Sequence, residues 1–183
     1  MLATREFRFQ RPAALLIAAT FAVGLPGCAV RHFVVNKVGD ALAEGGDVYA
    51  TDDDIELVGA ASPFGLKLLE SLLADAPRHP GILLALTRGF TQYAYAYVEV
   101  PADVLEDRDV NGAYAARDRA RKLYLRARDY GLRGLAVSHP DFSTQLRRDP
   151  DGALASMHKG DVPLLYWTAA AWGEAISLGK DDA

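Results

Sequence analysis

From Ser62 onward the apolar residues recur at separations of three and four, the spacing that gathers side chains on one side of an α-helix. In SPFGLKLLESLLADAP (62–77), Ser62 is a capping residue, Pro63 fits a first helical turn and Pro77 stops the run. In PGILLALTRGFTQYAYAYVEV, residues Leu83, Leu86, Phe90, Tyr93 and Tyr97 fall within a stripe about 80° wide on a helix. The tail YAYAYVEV also alternates as a strand does, and the continued stripe favours helix, with Tyr95 on the opposite face. AYAARDRARKLYLRARDYG brings Ala113, Ala116, Ala120, Leu123, Tyr124, Ala127 and Tyr130 onto one face about 120° wide, and Gly131 reads as a left-handed cap that ends the helix. VPLLYWTAAAWGEAISLG predicts a last helix, with Pro163 in its first turn and Tyr166, Trp167, Ala169, Ala170 and Gly173 as close-packing positions. Upstream, the pattern gives a short helix at about 33–43, a loop at Gly45-Gly46 and a turn of helix near Ile55. EVPADVLEDRDVNG and LRGLAVSHPDFSTQLRRDPDGALASMHKGD separate the helices by more than short turns, the second with a short helix at about 140–147.

The helices share a finer spacing. Gly65, Leu69, Leu72 and Pro77 are separated by four, three and five, as are the small, large apolar, small and proline positions in the second helix of a tetratricopeptide repeat, although Leu72 is larger than the usual alanine. Ala120, Tyr124 and Ala127 repeat the four-three spacing with the preferred residue types. Short side chains there let two helices approach closely. The predicted fold class is all-α, a tetratricopeptide-like antiparallel helix-pair repeat (α-solenoid) over 62–183, behind a tether and short helix at 28–61. The last helix has no following partner for its packing surface, so the array is expected to be incomplete at its C-terminus or capped by another protein.

The first residues follow a different logic. Arg5, Arg8 and Arg11 precede the apolar run PAALLIAATFAV, which has secretory length and falls short of the roughly 20 residues that span a bilayer. LPGC, which holds the single cysteine, resembles the bacterial lipobox, with Pro26 in place of the usual small or aliphatic residue. On that reading 1–27 is a lipoprotein signal peptide and Cys28 is the acylated first mature residue, a site of palmitate or similar chains. Two or three acyl chains hold a domain at a bilayer essentially permanently, where one does not. The expected location is the bacterial cell envelope, on the periplasmic face, lipid-anchored; Ala29 lacks the aspartate associated with inner-membrane retention, which tilts the expectation to the outer membrane. A lone cysteine excludes a disulfide framework.

Removal of residues 1–27 leaves 156 residues, one domain's worth, and takes away three arginines and one glutamate, moving the formal charge from −4 to −6. An acidic exported chain is a poor nucleic-acid binder, for which a basic stripe is the footprint. The run Asp52-Asp53-Asp54 lacks the alternating carboxylates, mid-loop glycine and terminal glutamate of a calcium loop, and reads as helix capping instead. Ser138, His139 and Asp141 in SHPDFS tempt a hydrolase reading, but no nucleophile elbow accompanies them. His139, Asp141, His158 and Asp161 are conceivable zinc ligands, yet turn chemistry explains that segment without metal. No catalytic residue, metal or cofactor is assigned. Arg117, Arg119, Arg121, Lys122, Arg126 and Arg128 make a basic helix whose plain reading is a solvated face. The sharper reading makes Arg117, Arg121 and Arg128 a contact for an acidic partner. Tyr93, Tyr97, Tyr166 and Trp167 are core by the plain reading and the lining of a ligand path by the sharper one.

Taken in order behind LPGC, the blocks DDDIELVGAASPFGLKLLESLLADAPRHPGILLALTRGFTQYAYAYVE, ARKLYLRARDYGLRGL and PLLYWTAAAWGEAISL resemble the T-component (TatT) lipoproteins associated with TRAP transporters, the tripartite ATP-independent periplasmic uptake systems. The resemblance covers nearly the whole mature chain and the N-terminal part of the family's length. It implies an all-α tetratricopeptide-like fold, association with the transporter's solute-binding protein, a channel for a small hydrophobic ligand, and no enzyme. Self-association into a homo-oligomer is left open. The alternative is a tetratricopeptide adaptor or scaffold lipoprotein in cell-envelope assembly.

Overall fold

Asp54 determines where the first long helix begins. Its carboxylate accepts the Leu57 amide at 2.9 Å, and the Asp52 side chain accepts the Asp54 amide at 2.9 Å, so the acidic run works as a helix start. The computed structural model describes residues 36–41 and 46–180, all within one unit, Val35–Ala183. The lipobox, Cys28 and the signal-peptide reading lie outside the described residues. Residues 36–41 are helical, within the expected short helix. Then follow α1 (Gly46–Thr51), α2 (Ile55–Asp75), α3 (Pro80–Ala94), a π-helical turn (Tyr95–Glu99), α4 (Val100–Glu106), α5 (Val110–Ser138), α6 (Phe142–Arg148), α7 (Pro150–Ala155), a 3-10 turn (Lys159–Asp161) and α8 (Val162–Ser177). The described residues contain no strand, and the fold is all-α.

Three local expectations are corrected. Ser62 is not a cap: it sits within α2, and its hydroxyl donates to the Val58 carbonyl at 2.6 Å. Pro63 is accordingly inside the helix, on its exposed side, where a missing backbone N–H costs least. Gly131 does not end α5, which runs two turns further to Ser138 with no positive φ among the described residues. What Gly131 supplies is proximity: a Cβ there would lie 2.0 Å from the Thr168 hydroxyl of α8. On α8 the packing face is also not the expected one. Thr168, Ala171 and Ala175 are buried, whereas Tyr166, Ala169 and Gly173 are exposed. The reason lies on α5, whose Gly131 and Gly134 receive Thr168 and Leu164.

Long-range contacts fix the directions. Leu66 meets Gly89 and Tyr97 meets Gly59, so α2 and α3 are antiparallel. Phe90 stacks on Tyr130 at 6.0 Å, Arg133 donates to the Pro77 carbonyl, and Tyr124 reaches Glu99, so α5 runs antiparallel to the α3–α4 segment. Arg128 lies over the Trp172 ring at 5.5 Å, and Arg121 lies against Gly179, so α8 is antiparallel to α5. The core between these helices is Leu66, Leu73, Ile82, Leu83, Leu86, Phe90, Ala127 and Ala171. A second cluster joins Ala94, Val98, Ala120, Tyr124 and Ala175, and a third, Leu135, Phe142 and Ala153, seats α6 and α7 against the end of α5. Complete burial of a leucine-sized side chain stabilises by about 1.5–3 kcal/mol. The small residues Ala120 and Ala127, both fully buried, let α5 come close to its neighbours on either side of Tyr124.

Candidate functional site

On the face of α3 turned towards α2, the side chains are short: Ala85, Gly89 and, beyond the helix end, Ala96. Leu66 of α2 packs onto Gly89, but the apolar residues of α2 leave the space around it open, and the result is a cleft of about 350 Å³. Val58, Ser62, Leu66 and Leu69 of α2 form one wall. Tyr93 and Tyr97 form the other, with rings stacked at 5.6 Å. Tyr49 and Ala50 of α1 cover it from the N-terminal side, and Phe64 and Leu68 edge the opening. Phe64 is 74% exposed.

Glycine makes this packing possible at two places. A Cβ on Gly59 would come within 2.6 Å of the Tyr97 ring, and one on Gly65 within 2.9 Å of the Tyr49 hydroxyl. Tyr97 also donates its hydroxyl to the Ile55 carbonyl at 3.0 Å, which ties the end of the π turn to the start of α2. The π turn adds a residue to the helical register. Val98 goes to the core while Tyr97 stays at the cleft and Tyr95 faces out. Two polar groups enter an otherwise mainly apolar lining from one side of α3: Arg88 and, one turn on, Gln92. Arg88 makes no ion pair or hydrogen bond among the described residues.

Behind the cleft the helices are joined by carboxylates. Glu70 on α2 accepts from the Tyr130 hydroxyl at 2.6 Å and from Lys67 at 2.6 Å, and it forms an ion pair with Arg126 at 2.8 Å. Burial alone would raise its pKa, but the Lys67 and Tyr130 hydrogen bonds and the Arg126 charge outweigh that and hold it below the usual carboxylate value. Glu99, at the end of the π turn, behaves oppositely. Burial pushes its pKa up, the bond from the Tyr124 hydroxyl offsets part of this, and the nearby charges of Glu174 and Asp103 add to the rise. Burial, with the Glu99 bond next, raises the Tyr124 hydroxyl in turn.

The residues singled out by sequence are distributed over several places. Tyr93 and Tyr97 line the cleft together. Tyr166 and Trp167 do not: they contact each other edge to face at 5.1 Å on α8, with Tyr166 63% exposed. The basic stretch of α5 is divided between two sides. Arg117 pairs with Asp103 at 2.8 Å and Glu106 at 2.6 Å, Arg121 lies against the end of α8, and Arg128 pairs with Asp129 at 2.7 Å over Trp172. Arg126 turns the other way, onto Glu70 and the Phe90 ring. These guanidinium groups fasten helices within the chain. His139 is paired through Nε2 with Asp161 at 3.0 Å rather than directed at Ser138, and Asp161 also accepts the His158 amide at 2.8 Å. That cluster clasps the end of α5 to the start of α8. Tyr49, Phe64, Arg88 and Gln92 were missed from sequence; the signal available was the spacing of Ala85, Gly89 and Ala96, a helix face too small to fill its own surroundings.

The family described as TRAP transporter T-component matches residues 51–183. A protein of Treponema pallidum (strain Nichols), described as uncharacterized, is 33% identical over 135 residues, which are 72% of this chain and 42% of that protein. The chain therefore matches less than half the length of this relative.

Proposed function

This chain belongs to the TRAP transporter T-component family, and from that premise we propose that it is a transport component associated with the cell envelope. In our reading it is tethered through acylated Cys28 on the periplasmic face, it takes a small, largely apolar ligand into the cleft between α1, α2 and α3, and it works against the solute-binding protein of the same uptake system. The observation that carries this reading is the cleft itself. An opening of about 350 Å³ walled by tyrosines and leucines, with a few polar groups at one side, has the size and lining of small-molecule sites, which run from about 300 to 1,000 Å³. The exposed Phe64 and Leu68 beside the opening supply an apolar rim for a protein partner, whereas Arg117, Arg121 and Arg128 are engaged within the chain. Tethering in a thin layer raises the effective concentration for components that visit that layer, so modest affinity is enough.

The test is surface plasmon resonance of the purified protein from Ala29 onward against the solute-binding protein encoded beside it. Saturable binding, weakened by Phe64→Asp and Leu68→Asp, supports the reading. Absence of binding by folded protein leaves the envelope adaptor as the better account.

A further inference from the structure

On α5, Arg117, Arg119, Arg126, Arg128 and Arg133 are met by carboxylates, a carbonyl or ring faces, and Arg88 on α3 differs from them. It projects from α3 into the lining of the cleft, half-buried, with no ion pair or hydrogen bond among the described residues. A guanidinium always carries its charge and presents a planar fork of donors suited to a carboxylate or phosphate. Keeping that charge at an apolar wall without a partner is unfavourable compared with open water, and a ligand anion there would relieve the cost. Gln92 lies one helical turn further along the same face and also lines the cleft, while Leu66 and Leu69 offer methyl surface and Tyr93 and Tyr97 their ring faces, the Tyr97 hydroxyl being bound to the Ile55 carbonyl.

From this arrangement we infer that the cleft selects an amphipathic anion, with Arg88 holding a carboxylate-type head group and the tyrosine and leucine walls taking an apolar body. The inference rests on the ligand role proposed for this cleft and adds the charge of the ligand and the residue that reads it. The cleft volume suits a short body, of medium-chain or single-ring size, and the open edge at Phe64 and Leu68 lets a longer chain run outward. A neutral or cationic molecule of the same shape would leave the guanidinium unpaired or oppose it.

The experiment is isothermal titration of the purified protein with three probes that share one tail: decanoate, decanol and decyltrimethylammonium, each below its aggregation threshold. Decanoate is expected to bind at least 10-fold more tightly than decanol, about 1.4 kcal/mol, and the cation more weakly than either. Arg88→Gln should remove the preference for decanoate and leave decanol unchanged; Arg88→Lys should keep part of it, because a point charge replaces the fork. Because Arg88 has no partner among the described residues, the thermal melt of Arg88→Gln should match the wild type, which separates loss of binding from loss of fold. Equal binding of decanoate and decanol, or an Arg88→Gln variant that keeps the preference, overturns the assignment while leaving the apolar cleft standing. Failure of all three probes to bind overturns the assignment and the ligand role together.

Discussion

Tyr124→Phe removes one oxygen from the centre of the bundle and should destabilise it in a pH-dependent way. The Tyr124 side chain is fully buried, and its hydroxyl donates to the Glu99 carboxylate, joining α5 to the end of the π turn. Phenylalanine keeps the ring packed but leaves a partly buried carboxylate facing the like charges of Glu174 and Asp103, with Arg117 as the remaining favourable charge. A hydrogen bond to a charged group contributes about 1.5–3 kcal/mol. At about 2–4 °C per kcal/mol for a chain of this size, the melting temperature should fall by about 3–12 °C near neutral pH. The pH dependence follows from the raised pKa of Glu99. A carboxyl group whose folded pKa lies above its unfolded value favours the native state most below the unfolded value, near 4.5, and loses that contribution as pH rises through the folded value. Loss of the Tyr124 donor raises the folded pKa further, so the penalty is largest with Glu99 ionised and shrinks as pH falls towards the ordinary carboxylate range. Thermal melts by circular dichroism at pH 7.5 and at pH 5, repeated in a Glu99→Gln background, measure both effects. A fall in melting temperature that is the same at the two pH values, and the same with and without the Glu99→Gln change, would refute the coupling.

Glu99→Gln alone should raise stability at pH 7.5, whereas Glu70→Gln should lower it, because Glu70 has a depressed pKa and contributes stability above its unfolded value that is lost only as pH falls through the folded one; urea titrations at pH 7.5 and 4 distinguish the two signs. Gly131→Ala should cost about 1–3 kcal/mol by forcing Thr168 away from α5, and Gly173→Ala, with nothing within 4 Å of the added methyl, should gain up to about 1 kcal/mol from helix propensity; urea midpoints check the pair. Asp54→Ala should lose about 1 kcal/mol through the α2 cap, read from the same titration. Cys28→Ala should abolish incorporation of labelled palmitate in cells; equal labelling of both proteins would end the lipoprotein reading.

The parts of the fold legible in the sequence are those where local pattern and tertiary burial agree. The stripe Leu83, Leu86 and Phe90 is buried, as are Ala113, Ala120, Tyr124 and Ala127 of α5, and α6 and α8 stand where their prolines and apolar runs indicated. Where the pattern is locally ambiguous, contacts distant in sequence decide. VPLLYWTAAAWGEAIS is apolar almost all round, so its periodicity cannot name the packed face; Gly131 and Gly134, about thirty residues away, do so by admitting Thr168 and Leu164. A glycine in a helix reads as a stop unless the neighbour that occupies its space is known. The cleft was half visible: Tyr93 and Tyr97 stood on the stripe, but a gap is an absence of side chains, and Ala85, Gly89 and Ala96 resemble any close-packing face; α2 closes on Gly89 through Leu66 and leaves the space around it open. Tyr166 and Trp167 joined the same expectation only through residue type, and α8 carries them elsewhere.

The claim on which the account turns is that the edge of the cleft meets a TRAP solute-binding protein. It is tested most directly by photo-crosslinking in living cells, with a photoreactive amino acid replacing exposed Phe64 beside the cleft or, as a comparison, exposed Arg147 on α6. The account predicts a crosslinked species from position 64 that contains the solute-binding protein, disappears when its gene is deleted, and is absent or much weaker from position 147. No such species from position 64, or equal crosslinking from both positions, would contradict it.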